Sequence, residues 1–292
     1  MKDTCIKALA LNETIRVYLI NNTNTVNEEI KRHNLWPSAT SVLGKVTSMA
    51  QMMGLMLKGD AALTIKIAGN GSLGKTIVDC NAKGEVRGYV DHPDVNFVNN
   101  SGGLNDYYAI GTDGIIEVIK DLKMKDLFTS SVKLTGNLAS DFTYYFYESE
   151  QTPSLVSLGI LVNEDNNCDI SGGIIIQVLP NATDKEISYV ESKTNLLSNF
   201  SNTLKEKSFK EILKMLFDDN FEILEENEVC FKCNCSKETF SRSLLTLGSK
   251  TLTEIKNEDH QIEAVCHYCN NKYQFNENEI QALINEALKQ GK

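Results

Sequence analysis

The strongest constraint on this chain is the way it gathers thiols near one end. Cys230-Phe231-Lys232-Cys233-Asn234-Cys235 is answered thirty residues later by Cys266-His267-Tyr268-Cys269, so five of the eight cysteines fall in two short clusters. Core packing does not select thiols at two- and three-residue spacings, whereas metal binding and thiol redox chemistry do. A tetrahedral zinc ion takes two closely spaced pairs of sulfur ligands from separate turns. Cys266 and Cys269 make one such pair. The other is either Cys230 with Cys233, a C-x-x-C knuckle, or Cys233 with Cys235, the rarer C-x-C. His260 and His267 could substitute, but four thiolates are available without them. His33, His92 and Asp113 form no ligand or triad spacing.

The rest of the composition bounds the setting. With 41% hydrophobic residues and four prolines among 292 residues, the chain reads as globular with a real core. Its net charge of -10 offers nothing in the overall balance to nucleic acid or an anionic membrane. Met1-Lys2-Asp3-Thr4-Cys5 lacks the apolar run of a signal peptide, and no apolar stretch approaches the ~20 residues of a membrane span. The expected location is the cytoplasm, where clustered cysteines bind metal or carry redox chemistry more often than they form structural disulfides.

Along the chain, hydrophobic periodicity predicts an α+β protein in three parts. In residues 1–180, a mixed α/β core domain with a largely antiparallel sheet, a first strand is expected at 15–20. Helices follow over 27–36 and 38–58. The second carries Val42, Val46, Met49, Met53 and Met56 on a broad apolar face, an ordinary core helix before it is a Met-rich docking surface. Strands are expected at 62–68, 75–80 and 85–90, with a turn at Asn81-Ala82-Lys83-Gly84. Further strands are expected at 114–120, 132–138, 143–147, 153–162 and 172–179. Residues 181–229 form a helical linker. From Asp184 to Glu228 glycine disappears, eleven acidic residues face six basic ones, and Ile187, Leu196, Phe200 and Leu216 belong to an apolar stripe. Residues 230–292 form a small zinc-binding module with a helix near 236–245, a hairpin from 262–265 and 272–275, and a final helix capped at Asn276-Glu277-Asn278-Glu279.

One motif is refused. Gly69-Asn70-Gly71-Ser72-Leu73-Gly74-Lys75-Thr76 matches the phosphate-loop string G-x-x-x-x-G-K-[ST], but a phosphate cradle needs a helix starting at the lysine. Ile77-Val78-Asp79-Cys80 reads instead as the second strand of a hairpin, so no nucleotide partner is expected.

The thiols allow two functions. A closed zinc site could simply fold the module. Alternatively, zinc holds its cysteines as thiolates, the form that oxidants attack, and oxidation would remove the ligands and unfold the module. At this point the chain resembles the heat shock protein 33 family of redox-regulated holdase chaperones. The resemblance rests on Phe231-Lys232-Cys233-Asn234-Cys235-Ser236 and Val265-Cys266-His267-Tyr268-Cys269. It is supported by Gly84-Glu85-Val86-Arg87-Gly88-Tyr89-Val90 and Leu57-Lys58-Gly59, and it covers essentially the whole chain.

The resemblance implies that Cys233, Cys235, Cys266 and Cys269 bind one Zn²⁺ in the reduced state, leaving Cys230 outside the set. It implies the disulfides Cys233–Cys235 and Cys266–Cys269 on oxidation, with zinc release and linker unfolding. It implies no enzyme activity, but capture of unfolding client proteins without ATP and an active form that dimerises. The linker stripe of Ile187, Leu196, Phe200 and Leu216, and the core face it covers, are the expected client-binding surfaces. Where related chains often carry an arginine-bearing stretch after the second cysteine, this one has Lys237-Glu238-Thr239. The alternative is a zinc-ribbon nucleic-acid-binding or regulatory protein. It would need a basic face, yet residues 230–292 carry eight basic and eight acidic side chains.

Overall fold

A strand that is apolar on both faces belongs in a sheet covered on both sides. The stretch Ile15-Arg16-Val17-Tyr18-Leu19-Ile20 is such a strand. A computed structural model describes residues 2–99 and 103–290 and makes it β2 (Ile15–Asn21), paired with β1 (Thr4–Ala10). Ile15, Val17 and Leu19 join one buried cluster, while Tyr18 and Ile20 join another on the opposite face.

Two helices follow, α1 (Thr23–His33) and α2 (Pro37–Gly54). Asn34 ends α1 in the left-handed conformation, and Pro37 opens α2 at its first turn, where a missing N–H costs nothing. Both therefore stop short of the expected 36 and 58. Sixteen of the residues of α2 are buried, so it is a core helix, in contact with strands of both large sheets.

The antiparallel run β3 (Ala62–Gly69), β4 (Lys75–Asn81), β5 (Glu85–Val90) follows as expected. The phosphate-loop string is the turn between β3 and β4, with Gly74 at φ +70° and no helix at Lys75. After the short α3 (Asp106–Ile110) come β6 (Gly114–Asp121) and β7 (Phe128–Lys133).

Residues 143–147 are not a strand. They lie in α4 (Leu138–Glu148), which buries Leu138, Phe142, Tyr145 and Phe146 at helical spacing. Asn137 starts it by accepting from the Ser140 N–H at 3.2 Å, an N-cap that also moves the strand expected at 132–138 back to β7. The aromatic residues suggest a strand by composition, and packing overrides that preference.

β8 (Ser154–Val162) and β9 (Cys168–Val178) pair with each other. The acidic segment then forms α5 (Asp184–Ser192), a 3-10 turn (Thr194–Leu197), α6 (Phe200–Glu206) and α7 (Phe209–Phe217). The helical expectation for the linker fails beyond this point. Asp218 at φ +56° breaks α7, and β10 (Phe221–Glu228) runs antiparallel to β1 from Ala10↔Phe221 to Thr4↔Glu228. Lys7–Glu225 and Lys2–Glu228 ion pairs at 2.9 and 2.8 Å flank it. The two-residue β11 (Cys230–Phe231) lies parallel to β5.

One sheet thus has the order β10-β1-β2-β9-β8, and the other β11-β5-β4-β3-β6-β7. The first is sandwiched. Its inner face packs on α2, and its outer face (Ile15, Val17, Leu19, Ile174, Ile176) is covered by Phe200, Leu204, Ile212 and Leu216 from α6 and α7. Among the described residues no helix is long and apolar enough to cross a membrane.

The chain divides into two compact units, Met1–Lys232 and Cys233–Lys292. The second contains α8 (Lys237–Leu245), α9 (Gly248–Asp259), the hairpin of β12 (Gln261–Val265) and β13 (Lys272–Asn276), and α10 (Glu277–Lys289). Asn276 and Glu279 cap α10 reciprocally, as expected. Its apolar core is small: Leu245, Leu252, Phe275, Ile280, Leu283, Ile284 and Ala287.

Candidate metal centre

The second cysteine pair sits in the loop joining β12 to β13. Val265 pairs with Lys272, so Cys266 to Asn271 form the connection. The Cys266 N–H donates to the Asn271 carbonyl at 3.0 Å, and the Asn270 N–H donates back to the Cys266 carbonyl at 2.8 Å. Asn270 takes a left-handed conformation, φ +56°, which asparagine tolerates better than most residues. Both thiols are buried.

The first pair arrives on a different support. Cys233 and Cys235 immediately precede α8, whose N-cap Ser236 accepts from the Thr239 N–H at 3.2 Å. Lys237 then ion-pairs with Glu279 and lies over the Phe275 ring, 5.0 Å from its centroid. Phe240 packs on Tyr273 with ring centroids 5.1 Å apart. These contacts hold the start of α8 against β13 and α10.

The result is one cluster. The Sγ atoms of Cys233, Cys235, Cys266 and Cys269 all lie within 4.8 Å of one another. Cys233 to Cys266 is 3.8 Å and Cys235 to Cys269 is 3.3 Å, far beyond the ~2.05 Å of a disulfide bond. A tetrahedral ion with metal–sulfur bonds of ~2.3 Å separates its sulfurs by about 3.8 Å, so the four donors fit such an ion and can hold one. Cys230 is not in the group and lies on β11 in the other unit. Nor are the histidines: exposed His260 pairs with Glu277 at 2.8 Å.

Tyr273 is a member of this site that no spacing motif flags. Its hydroxyl donates to the Cys235 carbonyl at 3.0 Å and lies 3.2 Å from Cys235 Sγ. Only the register of the hairpin places it there. Burial pushes the Cys235 thiol up, but hydrogen bonds from Tyr273, Cys269, Cys233 and Cys266 outweigh it and bring the thiol down to about 7. Burial raises Cys266 and Cys269, and the contact with Cys235 raises the Tyr273 phenol to about 12. These contacts favour the thiolate form at Cys235, and a bound cation would favour the anionic form of all four ligands.

The proposed client-contact residues do not share one environment. Phe200 and Leu216 are buried against the first sheet, Ile187 is half-buried, and Leu196 is 38% exposed. The buried stripe runs through Val190, Leu197, Phe200, Leu204, Ile212 and Leu216, which includes Phe200 and Leu216 and leaves Ile187 and Leu196 outside it.

Fold and site together define a class: an α+β protein whose sheet face is roofed by helices of its own chain and which carries a small four-sulfur, metal-competent module. The family model described as Hsp33 protein matches residues 3–276. A 33 kDa chaperonin from Staphylococcus aureus (strain Newman) is 45% identical over 286 residues, 97% of this chain and 98% of the relative. The crystal structure of a 33 kDa chaperonin (heat shock protein 33 homolog) from Thermotoga maritima superposes with a TM-score of 0.93 at 29% identity, covering 99% of this chain and all of that one. The chain belongs to the Hsp33 family of chaperones.

Proposed function

We propose that this chain is an ATP-independent holdase, a non-enzymatic chaperone of the cytoplasm whose activity is set by the oxidation state of its four clustered cysteines. The observation that carries the reading is the convergence of four sulfurs within 4.8 Å in a module with too small an apolar core to be robust alone. A Zn²⁺ ion held by Cys233, Cys235, Cys266 and Cys269 would keep all four as thiolates and contribute ~10–16 kcal/mol of apparent folding energy. Oxidation to Cys233–Cys235 and Cys266–Cys269 disulfides then removes every anionic donor at once. All four sulfurs lie within 4.8 Å of one another, so each thiol has its pairing partner close by.

In this reading residues 1–180 are the core, 181–229 the linker and 230–292 the redox sensor. The linker helices rest on an apolar sheet face through a limited set of contacts, as expected of a segment that opens locally. Their departure bares Ile15, Val17, Leu19, Ile174 and Ile176 together with Ile187, Leu196, Phe200 and Leu216. That apolar surface would bind unfolding clients, and also favour a homodimer of the oxidised form.

The test is direct. Zinc-loaded protein treated with hydrogen peroxide under mild heating should release about one zinc per chain, and gain the ability to suppress aggregation of a thermally unfolding client. Zinc release with aggregation unchanged would overturn the redox-controlled chaperone reading.

A further inference from the structure

Cys230 is the thiol of the cluster that the four-sulfur site leaves aside. It is exposed and three residues from Cys233, a spacing at which thiols commonly pair. Its backbone is tied into β11. The Cys230 N–H donates to the Gly84 carbonyl at 3.4 Å and the Lys232 N–H to the Val86 carbonyl at 2.8 Å, which keeps Cys230–Lys232 extended beside β5. Lys232 ion-pairs with Glu85, and the Arg32 guanidinium lies over the Phe231 ring, 4.8 Å from its centroid. Just upstream, buried Val229 donates its N–H to the Asp3 carbonyl at 3.1 Å.

An extended chain advances about 3.3 Å per residue, whereas a disulfide requires Cα atoms 4.4–6.8 Å apart. Closing a C-x-x-C ring therefore needs a turn across Phe231-Lys232. The backbone bond from Lys232 to Val86 forbids that turn. Burial and the carboxylate of Glu85 also push the Cys230 thiol up, which disfavours the attacking thiolate while the strand is annealed. Both restraints end when the strand lifts, and a strand of two residues is held by little.

We propose that Cys230 is a fifth redox thiol: β11 guards it while annealed to β5, and once the strand is released Cys230 forms a disulfide with Cys233. This rests on the reading of the cluster as a zinc–thiolate redox site. With hydrogen peroxide as oxidant, the Cys233 thiolate attacks one peroxide oxygen. A sulfur–oxygen bond forms, the oxygen–oxygen bond breaks, and hydroxide leaves. The Cys230 thiolate then attacks the resulting sulfenic sulfur, forming the sulfur–sulfur bond and expelling a second hydroxide. Together with the two protons lost by the thiols, the hydroxides make two waters. The product competes with the Cys233–Cys235 pair, leaves Cys235 reduced, and must itself be reduced before the four-sulfur set can reassemble. Oxidation thus has two outcomes at Cys233, and the stability of β11 decides between them.

Trypsin separates the two. It cuts after Lys232, so a Cys230–Cys233 bond joins the peptides MLFDDNFEILEENEVCFK and CNCSK, while a Cys233–Cys235 bond stays within CNCSK. Full-length zinc-loaded protein is oxidised with peroxide, the remaining thiols are alkylated, and the digest is read by tandem mass spectrometry alongside zinc release to a chromogenic chelator. The joined peptides, with Cys235 alkylated, are expected in the wild-type protein. Phe231→Ala, which removes the Arg32 contact, should raise their yield about fivefold at equal zinc release, the factor expected from losing one exposed cation–π contact. Cys230→Ser should abolish them and convert CNCSK fully to its internal disulfide. Zinc release with that internal disulfide but Cys230 alkylated throughout, in both wild-type and Phe231→Ala protein, overturns the proposal and leaves the zinc reading intact. No zinc release and no thiol loss overturns both.

Discussion

Gly159 offers a way to lift the linker without touching a single cysteine. It lies in β8 under α6, and a Cβ built on it would sit 2.7 Å from Ser201 N, 2.8 Å from Ser201 Cα and 3.0 Å from Ser201 Cβ. Two of these are helix backbone atoms, which cannot rotate away as a side-chain tip can. Gly159→Ala must therefore push α6 outward by several tenths of an ångström, away from the face where Phe200 and Leu204 are buried. Overpacking of this kind costs about 1–3 kcal/mol. If that strain falls on the closed state alone, the open population rises by a factor of about 5 to 150. Reduced, zinc-loaded Gly159→Ala protein should then suppress client aggregation before any oxidant is added, with its zinc content unchanged. Tryptic cleavage at the linker lysines Lys193, Lys205 and Lys207 should accelerate by a similar factor. Faster cleavage without chaperone activity would refute the idea that lifting the linker frees the client surface. Unchanged cleavage would refute the packing argument itself.

Two further outcomes are expected. Glu29 is fully buried, with both carboxyl oxygens in hydrogen-bonding contact with Thr47 Oγ1 at 2.9 and 3.1 Å, and burial raises its carboxyl from 4.5 to about 8 despite that partner. The folded state keeps the proton that the unfolded chain has lost, so stability falls as pH rises from about 4.5 to about 8, by at most ~1.4 kcal/mol per pH unit. Urea midpoints should show Glu29→Gln gaining on the wild-type protein across that window; parallel pH curves would exclude Glu29 as the source. At the metal centre, Tyr273→Phe removes the hydroxyl beside Cys235 and should weaken zinc affinity 10-fold or more, the usual order for an outer hydrogen bond to a ligand. Chelator competition giving an unchanged affinity would make Tyr273 a packing residue only.

The cysteine site was legible early because metal binding demands few residue types at close spacing, and a list of spacings carries that information. The β3–β4–β5 hairpins were legible for a related reason: alternation and glycine turns are local signals. The phosphate-loop string is ruled out by equally local information, since β-branched residues follow Lys75. Elsewhere local composition misled. Tyr144-Tyr145-Phe146 suggests a strand, but its periodicity answers to the core around α4.

The least legible segment is the end of the linker. Phe221-Glu222-Ile223-Leu224-Glu225 has neither a helical stripe nor a buried face, and it becomes a strand because β1 presents an open edge more than two hundred residues earlier. The same nonlocality placed Tyr273 beside Cys235 and laid β11 along β5. Sequence alone narrowed the candidate donors to five thiols in two clusters, because metal binding demands closely spaced cysteines, and left open whether Cys230 or Cys235 partners Cys233. Tertiary structure decided what surrounds them and where the linker rests, because edge pairing, sheet burial and the exclusion of Cys230 depend on distances that no local window of the chain contains.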